Sequence, residues 1–251
     1  MNQEPENQQN AALVVGAGQG IGLGFVRQLL EGDRADPIYA TYRNPDSALL
    51  QIDDPRLHCL MLDLTDETQI AAVVQKIQAE TSALHNVINC VGVLHNGTMQ
   101  PEKSLRQLNT DQLLHYSQVN SIGAVLLAKH IQPLLKHRDR ALFATISAKV
   151  GSIGDNQLGG WYGYRASKAA LNMFMRNVAI EYKRTCPRAI VVNLHPGTTD
   201  TELSRPFQRN VPPEKLFSVE RTVQQLLTVM DGLQENDSGE FFSWNGDRLP
   251  W

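Results

Sequence analysis

Tyr164 and Lys168, in the segment Tyr164-Arg165-Ala166-Ser167-Lys168, stand four residues apart. On a helix that spacing puts both side chains on one face. A phenol ordinarily titrates near ~10. A neighbouring ammonium favours the phenolate and draws that value toward working pH, so the hydroxyl becomes a usable proton donor to a carbonyl oxygen. Tyr162 has Ala166 four residues on and lacks such a partner. The same spacing arises by chance on many exposed helices, so the pair alone specifies no enzyme.

A second constellation lies near the start of the chain. In Val14-Val15-Gly16-Ala17-Gly18-Gln19-Gly20-Ile21-Gly22 a short apolar run gives way to glycines and then to a helical pattern. Glycines there let the backbone turn tightly and approach a pyrophosphate, whose charge meets the N-terminus of the following helix. Gly16, Gly18, Gln19, Gly20, Ile21 and Gly22 are therefore candidate dinucleotide contacts. A bare strand-to-helix turn is the alternative, and a Walker-type phosphate loop is excluded because no Gly-Lys-Ser/Thr follows. About 20 residues downstream, where an acid would bond a free ribose 2′-hydroxyl, the chain has Tyr42-Arg43-Asn44. Arg43 can pair a 2′-phosphate and stack on adenine beside Tyr42, so the expected cofactor is NADP(H) in preference to NAD(H).

These residues need a frame. Apolar runs at Ala11–Val15, Ile38–Tyr42, Leu57–Leu62, Asn86–Val91, Ala141–Ile146, Ala189–Leu194 and Glu240–Trp244 predict seven strands. Between them, helical periodicity predicts helices over Ile21–Leu30, Thr68–Glu80, Asp111–Leu135, Tyr164–Arg184 and Val219–Gly232. Strands so separated cannot pair as hairpins and must cross over. The expected fold is α/β: a single doubly wound Rossmann domain over residues 11–251, with a mostly parallel seven-stranded sheet and helices on both faces.

Composition removes other classes. Among 251 residues, 23 basic against 26 acidic side chains leave a formal charge of -3, which gives no electrostatic footprint for nucleic acid or an anionic membrane. No apolar run approaches the roughly 18 residues of a membrane span. Cys59, Cys90 and Cys186 form no CxxC pair and read as reduced, mostly buried side chains of a cytoplasmic protein, with no metal site among them. Met1 to Asn10 is polar, without the positive start of a signal peptide, and is expected to be a disordered tail.

Taken together, the glycine loop, Asp63, Asn89 to Gly92, Asn120, Tyr164 with Lys168, and His195-Pro196-Gly197 stand in an order and spacing that resembles the short-chain dehydrogenase/reductase family. The resemblance runs from Ala11 to Trp251. Arg43, Gly159-Gly160-Trp161-Tyr162-Gly163-Tyr164-Arg165 and the ending Asn245-Gly246-Asp247-Arg248-Leu249-Pro250-Trp251 look most like the C-factor and sniffer-type carbonyl reductase branch. The resemblance implies that Asp63, with Leu64 beside it, accepts from the adenine amino group. It implies that Asn89, Val91 and Gly92 line the adenosine ribose, with Cys90 and Val91 departing from the family's Asn-Asn-Ala-Gly. Asn120 would hold a proton-relaying water on its backbone carbonyl. Pro196, Gly197, Thr199 and Thr201 would hold the nicotinamide carboxamide, through backbone at Thr199 and hydroxyl at Thr201. His195 reads as a packed strand end.

One motif departs from the pattern. The family's catalytic serine begins a Ser-x-x-Gly step, where this chain has Ile146-Ser147-Ala148-Lys149-Val150-Gly151. Strict register puts Ala148 at the serine position. Ser147, one place earlier, is taken as the catalytic hydroxyl provided that the strand end turns it inward, and Ser152 is a second candidate.

The resemblance thus implies hydride transfer between a nicotinamide and a small-molecule carbonyl or alcohol, with Tyr164 as proton donor and Lys168 lowering its pKa. Phe207, Trp161 and Met99 would line an apolar substrate pocket beneath a loop over Ser204–Phe217. A homodimer or homotetramer is the default assembly. The rival reading is a cofactor-binding sensor of the same fold with little turnover. A sugar-nucleotide epimerase is disfavoured, because the chain after Pro196 is too short for that class's larger C-terminal domain.

Overall fold

The computed structural model describes residues 10–251, so the expected tail falls, apart from Asn10, outside the described residues. Largely buried apolar runs form the inner strands β1 (Ala12–Val15), β2 (Ile38–Tyr42), β4 (Asn86–Asn89), β5 (Ala141–Ile146) and β6 (Ala189–His195), and β3 (Leu57–Met61), half-buried with Met61 exposed, forms one edge. Between them run α1 (Gly20–Glu31), α2 (Glu67–Glu80), α3 (Thr110–Ser117), α4 (Gly123–Leu135) and α5 (Tyr162–Thr185). A short ladder, β7 (Thr198–Thr199) with β8 (Leu216–Phe217), precedes α6 (Val219–Gly232) and the last strand, β9 (Phe241–Ser243).

Seven strands form one sheet in the order β3-β2-β1-β4-β5-β6-β9, and every pairing between them is parallel. The order reverses beside β1, between β2 and β4. At such a switch point adjacent crossovers leave on opposite faces and open a crevice at the carboxyl ends of the strands. One face packs Phe25, Val26 and Leu29 of α1 with Val223, Leu226 and Met230 of α6. The other packs Ile70, Val74 and Ile77 of α2, Leu127 and Ile131 of α4, and Leu171 and Met175 of α5. The doubly wound expectation agrees with this arrangement.

The helix expected over Asp111–Leu135 is not continuous. Gln118–Ile122 forms a π-helical turn between α3 and α4, and such single-turn bulges gather at functional sites. Asn120 lies inside it. Helical periodicity could not reveal the extra residue, because the apolar pattern resumes on the far side of the turn. Cys186 is buried, whereas Cys59 and Cys90 are half-buried, so the cysteines are less enclosed than expected.

Candidate active site

The glycine loop is moored by the end of β2. Thr41 Oγ1 accepts from the Gly16 N–H at 3.0 Å, the Thr41 carbonyl accepts from Ala17 N–H at 2.7 Å, and Ser47 Oγ donates to the Gly18 carbonyl at 2.8 Å. Sequence reading missed Thr41 and Ser47, which carry no motif. Gly16 has φ +80, in the left-handed region, and a Cβ there would come 2.8 Å from Val91 Cγ2. Helix α1 begins after Gln19 with no side-chain cap. Its first N–H groups are thus left to an anion at the positive end of the helix dipole. Arg43 is exposed and makes no hydrogen bond or ion pair among the described residues. An open glycine cradle, an uncapped helix end and an uncommitted cation fit a phosphorylated dinucleotide.

Asp63, at the end of β3, accepts from both the N–H and the hydroxyl of Thr65 through Oδ1, at 2.9 and 2.7 Å. Burial pushes its carboxyl up, but the Thr65 bonds and the charge of Arg43 prevail and hold it below its usual value. It does not cap α2, since Asp66 does. Leu64 beside it is buried. Asn89 is buried and accepts from the Val91 N–H at 3.1 Å, which turns the chain at the end of β4. Just beyond, a Cβ on Gly92 would lie 3.3 Å from Lys168 Nζ and 3.7 Å from Asn120 Oδ1. The Asn89–Gly92 segment therefore touches the glycine loop at Val91 and the lysine at Gly92.

Tyr164 and Lys168 lie in the first two turns of α5 and are 6% and 3% exposed. Lys168 Nζ donates to the Ile146 carbonyl at 3.0 Å and stands 6.0 Å from the centre of the Tyr164 ring. Here the sequence expectation needs correction. Burial, rather than the ammonium, dominates the phenol and pushes its pKa above the ordinary value. The same burial pulls Lys168 down to about 8, because the charged form loses its water. Tyr164 Oη has no hydrogen-bond partner among the described residues. The Asn120 side chain, 1% exposed, accepts from the Val93 N–H at 2.7 Å and donates to the Val93 carbonyl and to Ser167 Oγ. Ser167 in turn donates to the Tyr164 carbonyl at 2.8 Å, so the π turn is tied to α5 immediately behind the tyrosine.

The start of α5 depends on a residue that sequence reading did not single out. Gly159, Gly160 and Trp161 have φ of +63, +66 and +50, an uncommon run that ends in a bulky left-handed residue. The buried Glu102 holds it: its carbonyl accepts from Trp161 N–H and its carboxylate from Gly163 N–H at 3.1 Å. Glu102 thus caps α5 from a distant loop and fixes the turn that carries Tyr164.

Ser147 and Tyr164 are not brought together. Ser147 Oγ is buried and donates to Asn172 Oδ1 at 2.7 Å. Asn172 lies eight residues beyond Tyr164 on α5, about 12 Å along the axis at the usual helical rise. Ser152 Oγ accepts from Asp155 N–H inside its own turn. Ala148, the residue in strict register, packs instead against the cluster of Leu94, Met99, Tyr116 and Tyr164. A methyl group thus stands beside Tyr164 where the resemblance implies a hydroxyl. Ser147→Ala should then cost about 1 kcal/mol of stability, by stranding Asn172, and leave turnover within about twofold. Ala148→Ser should raise kcat/KM for unactivated ketones about tenfold, because one added donor to a forming oxyanion carries an effect of at least that size. Steady-state kinetics and thermal unfolding of the two variants check this contrast, and loss of turnover in Ser147→Ala would restore Ser147 to the site.

The expected pocket residues do converge. Trp161 packs edge-on to Phe207, with ring centres 4.9 Å apart, and to Tyr164 at 6.1 Å. Phe207 sits on the short helical segment Arg205–Asn210 and Met99 is buried beside it. In the segment beyond Pro196 and Gly197, Thr199 is buried and its hydroxyl bonds that of Thr222 at 2.8 Å. Thr201 approaches the glycine loop, since a Cβ on Gly20 would lie 3.3 Å from its Cγ2. Burial holds His195 near 4, and the Lys149 charge adds to this. It is therefore neutral, and its Nδ1 accepts from Lys149 N–H.

Comparison with known proteins matches residues 10–212 to the short chain dehydrogenase family model. An NADPH-bound carbonyl reductase from chicken fatty liver superposes with a TM-score of 0.85 at 29% identity, covering 97% of this chain and 99% of that one. The carbonyl reductase Sniffer of Drosophila melanogaster superposes with a TM-score of 0.86 at 26% identity, covering 97% and 100%. C-signal of Myxococcus xanthus is 33% identical over 134 residues, which cover 53% of this chain and 75% of that protein.

Proposed function

Since the chain belongs to the short-chain dehydrogenase family, we propose that it is an NADPH-dependent reductase of aldehydes or ketones in which Tyr164 donates the proton. That it is an NAD(P)-dependent oxidoreductase follows from the family and its relatives. The finer reading is carried by one observation: the Asn89–Gly92 segment joins the glycine loop to the Tyr164–Lys168 pair in a single crevice.

A nicotinamide bound there supplies the hydride that the carbonyl carbon accepts. The side chains do the rest. Gly16, Gly18, Gln19, Gly20, Ile21 and Gly22 would face the pyrophosphate, with Tyr42, Arg43, Asp63, Leu64, Asn89, Val91 and Gly92 along the adenosine half. Pro196, Gly197, Thr199 and Thr201 would hold the carboxamide. Tyr164, kept protonated by burial, hydrogen-bonds the carbonyl oxygen and gives up its proton as negative charge develops on it. An alkoxide is a stronger base than a phenolate, so the transfer runs downhill even from a raised phenol. Lys168, close to Gly92, would steady the phenolate that forms and hold the nicotinamide ribose, while the backbone carbonyl of Asn120 at the π turn would hold a water that relays protons to the lysine.

Val93, Val150, Leu203, Trp161 and Phe207 gather around Tyr164. This apolar, aromatic wall suits a carbonyl compound with a bulky or aromatic body. Without a serine at position 148, activated carbonyls such as diketones and quinones should be favoured over simple ketones. A panel of such carbonyls with NADPH tests the reading. Oxidation of NADPH by several of them is expected, whereas tight NADPH binding with no oxidation would leave the cofactor-binding sensor.

Arg43 gives the cofactor preference a direct check. Charge-assisted bonds are worth about 1.5–3 kcal/mol, so Arg43→Ala should raise the KM for NADPH about 10- to 100-fold and leave that for NADH nearly unchanged. Equal effects on the two cofactors would remove Arg43 from the 2′-phosphate. A homo-oligomer also belongs to this reading, supported by the exposed Met173 and Ile180 seven residues apart on α5. No helix among the described residues is long and apolar enough to cross a membrane.

A further inference from the structure

At the opposite end of the sheet, where β4 and β5 begin, His85, His137 and Asp139 converge. His85 immediately precedes β4, while His137 and Asp139 lie in the connection from α4 to β5. Each offers one ligand atom, and these atoms lie within 4.8 Å of one another. Among the described residues no other group of three His, Cys, Asp or Glu side chains comes close enough to share an ion.

The hydrogen bonding of the two imidazoles is what distinguishes this cluster from a chance encounter. His137 Nε2 lies 2.9 Å from the Leu84 carbonyl. A carbonyl only accepts, so Nε2 carries the proton and Nδ1 is left as a lone pair. His137 Nδ1 is buried and has no partner, and His85 Nδ1 is buried and unpartnered as well. The side chain of His85 is 9% exposed. Buried polar atoms are almost always satisfied, and two unpaired ring nitrogens on neighbouring imidazoles, with ring centres 4.9 Å apart, point to a missing common partner. The Asp139 carboxylate stands 3.9 Å from His85 Nε2, too far for a hydrogen bond. The three ligand atoms, one from each residue, lie within 4.8 Å of one another, and two ligands of one ion, each at ~2.1 Å, can lie up to about 4.2 Å apart, so a small closure completes the set. A ring nitrogen turned to a backbone carbonyl is also how metal-bound histidines are held.

We infer that His85, His137 and Asp139 form a site for a divalent transition metal ion of the zinc type. Two imidazoles and one carboxylate suit Zn²⁺, and also Ni²⁺ or Cu²⁺, better than Mg²⁺ or Ca²⁺, which prefer all-oxygen shells. The fourth position stays open to water from an adjoining surface cavity of about 320 Å³, lined by Asn10, His85, Asn86, Asp139 and Arg140. The Arg140 guanidinium is turned away from the ion, because it donates to the carbonyls of Met230 and Leu233. The ion would fasten the end of α4 and the start of β5 to the start of β4. It lies at the end of the sheet away from the dinucleotide crevice, so it has a role in stability rather than in hydride transfer.

The test uses the full chain without an affinity tag, stripped with a chelator and titrated with ZnSO₄ by calorimetry. One Zn²⁺ per chain with a micromolar or lower Kd is expected, together with a rise of several degrees in Tm. His137→Ala and Asp139→Asn should each weaken binding at least tenfold and abolish the rise in Tm. Asp139 is exposed, so its variant folds even if loss of His137 disturbs the packing. No binding below millimolar Zn²⁺, or binding that both variants retain at full strength, would overturn the site.

Discussion

Tyr164→Phe should lower kcat for carbonyl reduction about 10³-fold while the dinucleotide Kd stays within a factor of about two. The phenolic oxygen is the only part removed, and it has no hydrogen-bond partner among the described residues, so the packing around it survives. The ring keeps its edge-on contacts with Tyr116 and Trp161. Folding stability should therefore change by less than about 1 kcal/mol. General acid catalysis is worth about 10² to 10⁴ in rate, or about 3 to 5 kcal/mol of barrier, and without the hydroxyl the developing alkoxide has no neighbouring acid. Single-turnover oxidation of NADPH isolates the chemical step, and fluorescence titration of NADPH gives the Kd. Retention of more than a tenth of the wild-type rate would assign the proton to another group and remove Tyr164 from the mechanism.

Gly22→Ala should damage the cofactor site at its root. Gly22 lies in the first turn of α1, and an added Cβ would overlap the Gly16 carbonyl oxygen and stand 3.0 Å from Ala17 Cα. These are backbone atoms, so no rotamer change relieves the clash. Either the glycine loop lifts off the helix or α1 tilts. Both movements disturb Gly16, which the Thr41 hydroxyl and the strand end at Val91 hold in place. Overpacking of this kind costs about 1–3 kcal/mol, which in a chain of this size lowers Tm by roughly 2–12 °C. NADPH affinity should fall at least 30-fold, since the loop's N–H groups no longer converge on one anion. Calorimetric titration and thermal unfolding, with and without NADPH, measure both effects. An unchanged Kd would show that the pyrophosphate lies elsewhere.

Much of this molecule was legible before any coordinates. The boundaries of β2, β5 and α6 coincide with those read from apolar periodicity, because each is a continuous buried run or a strongly one-sided helix ended by polar or proline residues. The glycine loop was legible because its chemistry requires a residue without a Cβ. Tyr164 and Lys168 were legible because i, i+4 spacing fixes their common face whatever surrounds the helix. Less legible were residues whose role comes from a distant partner. Glu102 reads as an ordinary surface acid in a polar stretch, yet it is buried and caps the helix that carries Tyr164. Thr41 and Ser47 look like strand and turn residues, yet they hold the glycine loop.

By itself, then, the sequence determined the alternation of strands and helices, the crossover topology and the shared face of Tyr164 and Lys168, the pair proposed to donate the proton. All of these follow from local periodicity, spacing and backbone permissiveness. Tertiary structure alone decided three further matters. It set the direction of the Tyr164 and Lys168 pKa shifts, because exclusion of water depends on what packs above a helix and not on what lies along it. It turned Ser147 toward Asn172 and left Ala148 against the tyrosine, because alternation puts successive residues on opposite sides and only the packing around the end of β5 decides which side each takes. And it joined His85 to His137 and Asp139, some fifty residues apart, because β4 and β5 are hydrogen-bonded neighbours in the sheet.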